Sequence, residues 1–279
     1  MPMSSYHLLR TALNCVPHVK ARNRLIREYI GRTHRQTREL EVTLFGDLKM
    51  TVDVAEYVGA KLFFNGEFER HVTDYFINNL KPGDTLFDIG THIGLMSLVA
   101  ARAVGPTGNV HSFEPGEKQR RLLLKNIDHN RFAQIKVNPI ALSDHAGEGI
   151  FQSGPTENLG QSKVTDSGEG VRVQLLPLDQ YVAENNIQRI DAIKIDVEGA
   201  ELRVFKGAAE SIKRFKPRFI VYECVDEIAK DFGTSVAEIN DYVVSLGYDL
   251  YRWGSFQGKL VKPDVFTRCH LDYFALPRS

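Results

Sequence analysis

Two glycines and a carboxylate lie within seven positions in the stretch "LFDIGTHIGLMSLVAARA" at residues 86–103: Asp88, Gly90 and Gly94. The apolar residues before them and the small residues after them indicate a buried strand that turns at once into a helix. Glycines at such a turn allow a ligand to approach the backbone, and the helix start offers free N–H groups. Because Asp88 attracts a cation and repels a phosphate, the turn predicts a ligand with positive charge.

This turn distinguishes between two classes of cofactor. A dinucleotide-binding turn has the pattern G-x-G-x-x-G, whereas this chain has D-x-G-x-x-x-G. S-adenosylmethionine carries an ammonium and a sulfonium and no phosphate, which favours it over a nicotinamide dinucleotide. Glu114 ends the next apolar run in "HSFEP", where nucleotide-binding folds use an acid to bind ribose hydroxyls. The alternatives are a nicotinamide-dependent Rossmann oxidoreductase and a non-enzymatic cofactor-binding scaffold.

The elements that must position these residues follow from an alternation of short apolar runs and helical stretches. Such alternation is typical of a parallel sheet with helices on both faces. Extra strands are predicted after the third run, separated by a polar loop, and "YDLYRWG" and "LDYFALP" predict an antiparallel hairpin at the sheet edge. A basic helical segment up to residue 40, a hairpin at 40–54 and a helix at 67–80 precede the sheet. The apolar runs are 85–90, 108–115, 135–142, 191–199 and 218–224.

Candidate catalytic residues lie where the fourth apolar run ends, in "KIDVEGAE". Asp196 and Glu198 should emerge at the carboxyl edge of the sheet, where they could hold the cofactor's amino group or accept a proton from a hydroxyl. With Glu223 they could instead hold Mg²⁺, or each could only cap the following helix. His92 is a candidate base because its pKa lies near neutrality. No metal ligand is assigned.

Several blocks of the chain together resemble the FkbM-type methyltransferases, which have the class I S-adenosylmethionine-dependent fold. The blocks are "DTLFDIGTHIGLMSLVAA", "VHSFEP", "LLLKNI", "ALSD", "LDQY" and "DAIKIDVEGAELRVFKGA", between about residues 66 and 224. The resemblance implies a Rossmann-like α/β fold: a mostly parallel seven-stranded sheet with a C-terminal antiparallel hairpin and helices on both faces. It divides the chain into a helical and hairpin extension, 1–65, and a methyltransferase domain, 66–279.

The resemblance also implies the cofactor, S-adenosyl-L-methionine, and the residues around it. The acid at position 114 would hold the ribose, the "IALSD" turn would border the adenine, and Glu69 would close the pocket. The family often has Asn where this chain has His92. An Asn/Asp-Pro-Pro-aromatic stretch, typical of amine and base methyltransferases, is replaced by "DVEG", which favours transfer to oxygen. The expected cofactor-binding residues are Glu69, Asp88, Gly90, Thr91, His92, Ile93, Gly94, Glu114, Pro115, Ala141, Leu142, Ser143, Asp144 and Asp196.

Composition and charge limit the partners. The 279 residues have no net charge, so no global field favours nucleic acid or a membrane surface. Up to Glu41, however, the chain has eight basic and three acidic residues, which favours an anionic group on a small-molecule or glycan acceptor. Three widely spaced cysteines predict a reducing, cytoplasmic location, and no apolar run reaches the roughly 18 residues of a membrane span. A homo-oligomer is left open, and the acceptor would be a hydroxyl of a sugar, glycan precursor or other secondary metabolite.

Overall fold

The computed structural model describes residues 28, 38–155, 158–254, 258–262 and 271–278. The basic segment predicted to be helical up to residue 40 therefore lies almost wholly outside the described residues.

The helices are α1 (Tyr57–Asn65), α2 (Arg70–Asn79), α3 (Leu95–Val104), α4 (Glu117–Asn130), α5 (Leu178–Glu184), α6 (Glu201–Gly207), α7 (Ala209–Phe215), α8 (Asp226–Asp231) and α9 (Val236–Ser245). The strands are β1 (Glu39–Leu44), β2 (Leu48–Asp53), β3 (Thr85–Ile89), β4 (Asn109–Phe113), β5 (Ile135–Asn138), β6 (Ala141–Leu142), β7 (Gly147–Gln152), β8 (Lys163–Thr165), β9 (Val171–Leu176), β10 (Ala192–Ile195), β11 (Phe219–Cys224), β12 (Tyr248–Gly254), β13 (Lys259–Val261) and β14 (Leu271–Pro277).

The main sheet has eight strands in the order β13-β12-β14-β11-β10-β3-β4-β5. The five strands from β11 to β5 are parallel, and β14 pairs antiparallel with both β11 and β12. The predicted α/β class and the antiparallel pairing of "YDLYRWG" with "LDYFALP" are thus confirmed. The pair does not form the sheet edge, because the short β13 pairs with the outer side of β12. β14 itself lies between β11 and β12. With β13 the sheet has eight strands, one more than the seven expected.

Both faces of this sheet are buried, as the continuous apolar runs require. One face packs with α1, α2, α3 and the β1–β2 hairpin, and Leu86, Val110 and Val221 belong to that core. The other face carries Phe87, Ile193 and further apolar residues of the same strands. A side chain that points to either face therefore enters the interior unless it lies at an end of its strand.

The segments outside the main sheet pack onto it in two ways. The β1–β2 hairpin shares the core with α1, so the division of the chain at residue 65 remains a prediction. The predicted extra strands form a second sheet in the order β6-β9-β7-β8. Part of the predicted polar loop is ordered as β8 and as a short 3₁₀ helix, Leu159–Gln161. Among the helices of the described ranges, none combines the length and apolar character that a membrane crossing requires.

Candidate active site

A cavity of about 430 Å³ opens beyond the carboxyl ends of β3, β4, β10 and β11. Its volume falls in the range of about 300–1,000 Å³ that is typical of small-molecule sites. This is the edge where parallel α/β sheets bind ligands, since the strand ends and the following turns converge there. The apolar part of the wall includes Ile89, Phe113, Ile140, Leu142 and Phe151.

The turn after β3 follows the predicted strand-to-helix path, with Gly90 and Gly94 at φ of +82° and +97°. The reason for the glycines differs from the one expected. A Cβ on Gly90 would overlap the carbonyl oxygen of Asp196, and one on Gly94 would lie 2.5 Å from a methyl carbon of Leu123. Only Gly90 of the two lines the cavity. Gly90 is thus required by the close approach of the backbone after β10, whereas at Gly94 the left-handed backbone is the main constraint, since the end of the Leu123 side chain can move.

Glu114 lies just after β4 and lines the cavity, although only 5% of its surface is exposed. Its Oε2 accepts a hydrogen bond from the backbone N–H of His92 at 2.8 Å, and its Oε1 accepts one from Gly116 at 2.8 Å. Burial raises the pKa of Glu114 to about 7 despite these two bonds. Each carboxylate oxygen has a second lone pair, so the group can still accept the two ribose hydroxyls predicted for it.

Asp88 does not line the cavity; it lies behind the wall, with no exposed surface. Its Oδ2 accepts a hydrogen bond from Ser97 at 2.6 Å, and Ser97 also bonds to Ser112 at 2.6 Å. The Oδ1 atom is buried without a hydrogen-bond partner in the structure. Burial raises the pKa of Asp88 above its usual value. Asp88 therefore has no direct contact with the cavity.

Three carboxylates meet in the wall of the cavity: Glu69, Asp196 and Glu223. One oxygen from each lies within 4.8 Å of the others. Lys194 supplies a cation among them, with its Nζ 2.9 Å from Oδ2 of Asp196. Oxygen ligands of this kind could hold a divalent cation. We assign no metal here, because the ammonium of Lys194 already supplies the positive charge.

The charges in this cluster control its protonation. Burial raises the pKa of Glu69 well above its usual value, and the neighbouring Asp196, Asp272 and Glu223 raise it further, against the opposing effect of Lys194. Burial alone would lower the pKa of Lys194, but the surrounding carboxylates outweigh it and raise that pKa. The cluster therefore combines a lysine whose charged form is favoured with a carboxyl group, that of Glu69, whose protonated form is favoured.

Backbone strain is concentrated at this cavity. Seven described residues other than glycine have positive φ, and three of them, Glu69, His92 and Glu198, line the cavity. Such conformations cost roughly 1–3 kcal/mol each and persist where the surrounding structure imposes them, often at functional sites. Glu69 precedes α2, His92 lies in the turn after β3, and Glu198 follows β10. Three separate segments therefore each place a residue with strained backbone in the wall of the same cavity.

His92 is a weaker candidate for the base than its sequence position suggested. Its Nε2 is buried without a hydrogen-bond partner in the structure. Burial lowers the pKa of His92 to about 4, so the imidazole is neutral at physiological pH and holds a proton poorly. An unpaired ring nitrogen in the wall is instead suited to contact a polar group of a ligand.

The roof of the cavity comes from the second sheet and from α1. Residues 158–164 cross above it, and the buried Gln119 fixes them by donating from Nε2 to Oγ of Ser162 at 3.1 Å. Tyr57 and Val58 of α1 complete the cover. The hairpin at 40–54 contributes no lining residue. It packs on α4 instead, where Asn126 bonds to both backbone groups of Thr51.

Most of the residues expected from sequence line one cavity, but four of the cofactor residues do not: Asp88, Gly94, Ser143 and Asp144. Ser143 and Asp144 turn away because the backbone of Ser143 packs against Gly207 of α6. Sequence reasoning missed Lys194 and Gln119. The expected residues that line the cavity are Glu69, Gly90, Thr91, His92, Ile93, Glu114, Pro115, Ala141, Leu142, Asp196 and Glu198.

Comparisons with known proteins identify the family of this chain. Residues 88–250 match the methyltransferase FkbM domain family, and the chain belongs to that family. It is similar to the 31-O-demethyl-FK506 methyltransferase FkbM of Streptomyces tacrolimicus, with 27% identity over 56% of this chain and 70% of that protein. It is also similar to the hexuronic acid methyltransferase AglP of Haloferax volcanii, with 26% identity over 56% of this chain and 62% of that protein. In the second case the chain thus spans less than two thirds of its relative.

A solved structure of an O-methyltransferase from Bacillus cereus in complex with SAH is similar at 16% identity, over 76% of this chain and 83% of that one, with a TM-score of 0.47. The family and the sheet order define a class I S-adenosylmethionine-dependent methyltransferase. The cavity fits this cofactor for two reasons. Glu114 offers hydrogen-bond acceptors for the ribose hydroxyls, and the carboxylates beside β10 can attract the ammonium and the sulfonium of the cofactor. The protein is therefore an enzyme that uses S-adenosylmethionine.

Proposed function

We propose that this enzyme transfers a methyl group from S-adenosylmethionine to a hydroxyl oxygen of a sugar, a glycan precursor or another secondary metabolite. The observation that carries the proposal is the position of Asp196, which follows β10, lines the cavity beside Glu69 and Glu223, and is bonded to Lys194 through one oxygen. A hydroxyl is a poor nucleophile unless a base removes its proton during the transfer. Asp196 is placed to be that base.

The cofactor, when bound, supplies an electrophilic methyl group on a sulfonium. In our proposal the hydroxyl oxygen forms the new bond to carbon as the carbon–sulfur bond breaks, and Oδ1 of Asp196 accepts the hydroxyl proton. Glu114 holds the ribose, Ala141 and Leu142 border the adenine, and the turn at Gly90–Ile93 faces the methionine part. Glu198 and His92 contact the reactants as polar groups. Asp88, Gly94, Ser143 and Asp144 support this wall from behind.

Transfer to oxygen is also supported by the names of the two relatives, one acting on an O-demethyl compound and one on a hexuronic acid. A preference for an anionic acceptor has less support among the described residues. The two lysines that line the cavity are paired already, Lys163 with Asp231 at 3.0 Å and Lys194 with Asp196 at 2.9 Å. The anionic preference therefore rests on the basic segment before residue 40.

The test is a methyl-transfer assay with labelled S-adenosylmethionine and three matched acceptors: a methyl glucoside, a methyl glucuronide and a methyl glucosaminide. We expect labelled methyl ethers on hydroxyl oxygen, identified by mass spectrometry and NMR. Replacement of Asp196 by Asn should lower their rate of formation by about 10²–10⁴-fold, whereas the exposed Glu148→Gln variant should behave as wild type. Transfer to the amine alone would overturn the proposal, and the ratio of glucuronide to glucoside product decides the question of the anionic acceptor.

Location and assembly are proposed on less direct grounds. The cytoplasm is favoured by the wide spacing of the cysteines, of which Cys224 is buried as a free thiol. A homo-oligomer and the absence of a nucleic-acid partner remain predictions, which sedimentation and a salt-dependent binding assay would test.

A further inference from the structure

Lys194 lies in the centre of the main sheet, at a place where a lysine is not expected. It is the next-to-last residue of β10, only 7% of its surface is exposed, and the residues on either side of it, Ile193 and Ile195, face the opposite core. Among the residues that the structure describes, it is the one buried lysine or arginine. Removing such a charge from water is unfavourable, and a well-packed apolar residue at the same position would avoid that cost.

The partners of Lys194 come from three different elements. The strand register places it beside Asp88 of β3, which in turn lies beside Ser112 of β4. Its Nζ is 2.9 Å from Oδ2 of Asp196, and it also interacts electrostatically with Glu69 at the start of α2. The ammonium thus lies between an acid behind the cavity wall and two acids that line the cavity.

We propose that Lys194 is the positioning residue of the methyl transfer, which fixes Oδ2 of Asp196 and keeps the carboxylates at this end of the cavity charged together. The inference rests on the proposed role of Asp196 as base. With Oδ2 held by the ammonium, rotation of the carboxyl group is restricted, and Oδ1 is the oxygen presented to the acceptor hydroxyl. Without the ammonium, the carboxylates would repel one another and take up a proton.

Other ionisable groups face the same space and must be included in any pH experiment. Glu223 of β11 and Asp272 of β14 act on Glu69. Besides its burial, the charges of Asp196 and Lys194 act on the pKa of His92, which lies in the turn after β3: Asp196 raises that pKa and Lys194 lowers it. Because none of these groups supplies a second buried cation, the loss of Lys194 cannot be compensated by a neighbour and must be met by proton uptake.

The experiment measures binding of S-adenosylmethionine alone, by calorimetry from about pH 5.5 to about pH 9, and so requires no acceptor. In the Lys194→Met variant, the pH at which affinity falls on acidification should move upward by about one unit or more. The Lys194→Arg variant keeps the charge and should keep the wild-type midpoint. Lys213→Met, which removes an exposed lysine of α7, is the matched control and should change nothing.

The outcomes separate this inference from the proposed function. An unmoved midpoint in a folded Lys194→Met protein, or an equal shift in Lys194→Arg, would show a purely structural lysine and overturn the inference. If Lys194→Met does not fold, the double variant Lys194→Met/Asp88→Asn removes both buried charges, and its midpoint must still move. A failed acceptor screen would overturn transfer to a hydroxyl and leave the binding result unaffected. On an acceptor that passes the screen, Lys194→Met should lower kcat at least about tenfold with little change in KM for the acceptor.

Discussion

The two ends of the central strands carry clusters of opposite character. At the amino ends, Asp84, Asp191 and Arg218 each directly precede a strand and join Arg189 in one network. Two acids meet two guanidinium groups there, and the backbone N–H groups of Lys81 and Thr85 donate to the same carboxylates. We refer to these four residues as the amino-edge cluster.

At the carboxyl ends, one lysine faces Asp88, Asp196 and Glu69, and these four residues form the carboxyl-edge cluster. The hydrogen bond from Arg218 lowers the pKa of Asp84 although burial opposes it, whereas burial raises the pKa of Glu69. In the amino-edge cluster the two carboxylates are paired with two guanidinium groups, so their charges are balanced without a ligand. The carboxyl-edge cluster has three acids for one lysine, and two of these acids line the cavity, where a cationic or hydroxylated ligand can interact with them.

The largest expected effect comes from the acid that touches the cavity. Asp196→Asn should lower methyl transfer by about 10²–10⁴-fold, the usual contribution of a general base, while Asn keeps a hydrogen bond to Lys194. The corresponding change at the other edge, Asp191→Asn, should leave turnover per folded molecule unchanged. Steady-state kinetics on both purified variants measures the difference. Equal losses of turnover would contradict the assignment of catalysis to the carboxyl ends of the strands alone.

A smaller effect is expected from Asp84→Asn, and it should appear in stability. The carboxylate is 3% exposed and receives bonds from Arg218 at 2.5 Å and from the N–H of Lys81 at 2.7 Å. The loss of its charge should lower the free energy of unfolding by about 1.5–3 kcal/mol, the range for hydrogen bonds to charged groups. Urea unfolding gives the number, and the affinity for S-adenosylmethionine should stay that of wild type. If Asp84→Asn instead weakened the binding of S-adenosylmethionine and left the free energy of unfolding unchanged, the amino-edge cluster would not be a purely structural network.

The smallest effect concerns pH and has opposite signs at the two edges. Burial raises the folded-state pKa of Glu114 to about 7 from a usual value of 4.5, so between these values the folded protein binds more protons than the unfolded chain. Stability should therefore fall as pH rises through that window, by at most about 1.4 kcal/mol per pH unit for one group. Because the pKa of Asp84 is lowered, its stabilisation is lost only as pH falls below about 4.

Urea titrations of wild type and Glu114→Gln at about pH 8 and about pH 6 test the first part of this statement. The variant should show a smaller gain in stability on acidification, since Gln cannot take up a proton. The same slope in both proteins would place the proton uptake on another buried acid, such as Glu201, whose pKa burial also raises to about 7.

The acids of the site could be predicted from the sequence because parallel strands bring their carboxyl ends to one edge. Glu114, Asp196 and Glu198 needed only the strand pattern and their positions at the carboxyl end of each apolar run. The reason for Gly90 could not be found in this way, because the group that requires it is the backbone of Asp196, far away in sequence. A variant such as Gly90→Val is therefore expected to disturb the fold as well as ligand binding, because its side chain would overlap the backbone of Asp196.

Lys194 could have been found by a stricter use of the same pattern. Its two isoleucine neighbours face one core, so the lysine must face the other, and in a sheet covered on both sides that position is also buried. The contribution of α1 and Gln119 to the cavity had no comparable signal. Both depend on how the second sheet and the roof pack over the edge, which is decided by contacts between distant segments.

The insertion of β14 between β11 and β12 has a consequence for the order in which the molecule can be made. Residues 271–277 are synthesised after every other strand of the sheet, yet they fill a place inside it. Until they leave the ribosome, β11 and β12 face a gap with unpaired backbone groups on both sides, which invites pairing with other chains. β14 also places Asp272 beside Glu223. The pair of acids formed by Asp272 and Glu223 can therefore form only after this last strand has joined the sheet.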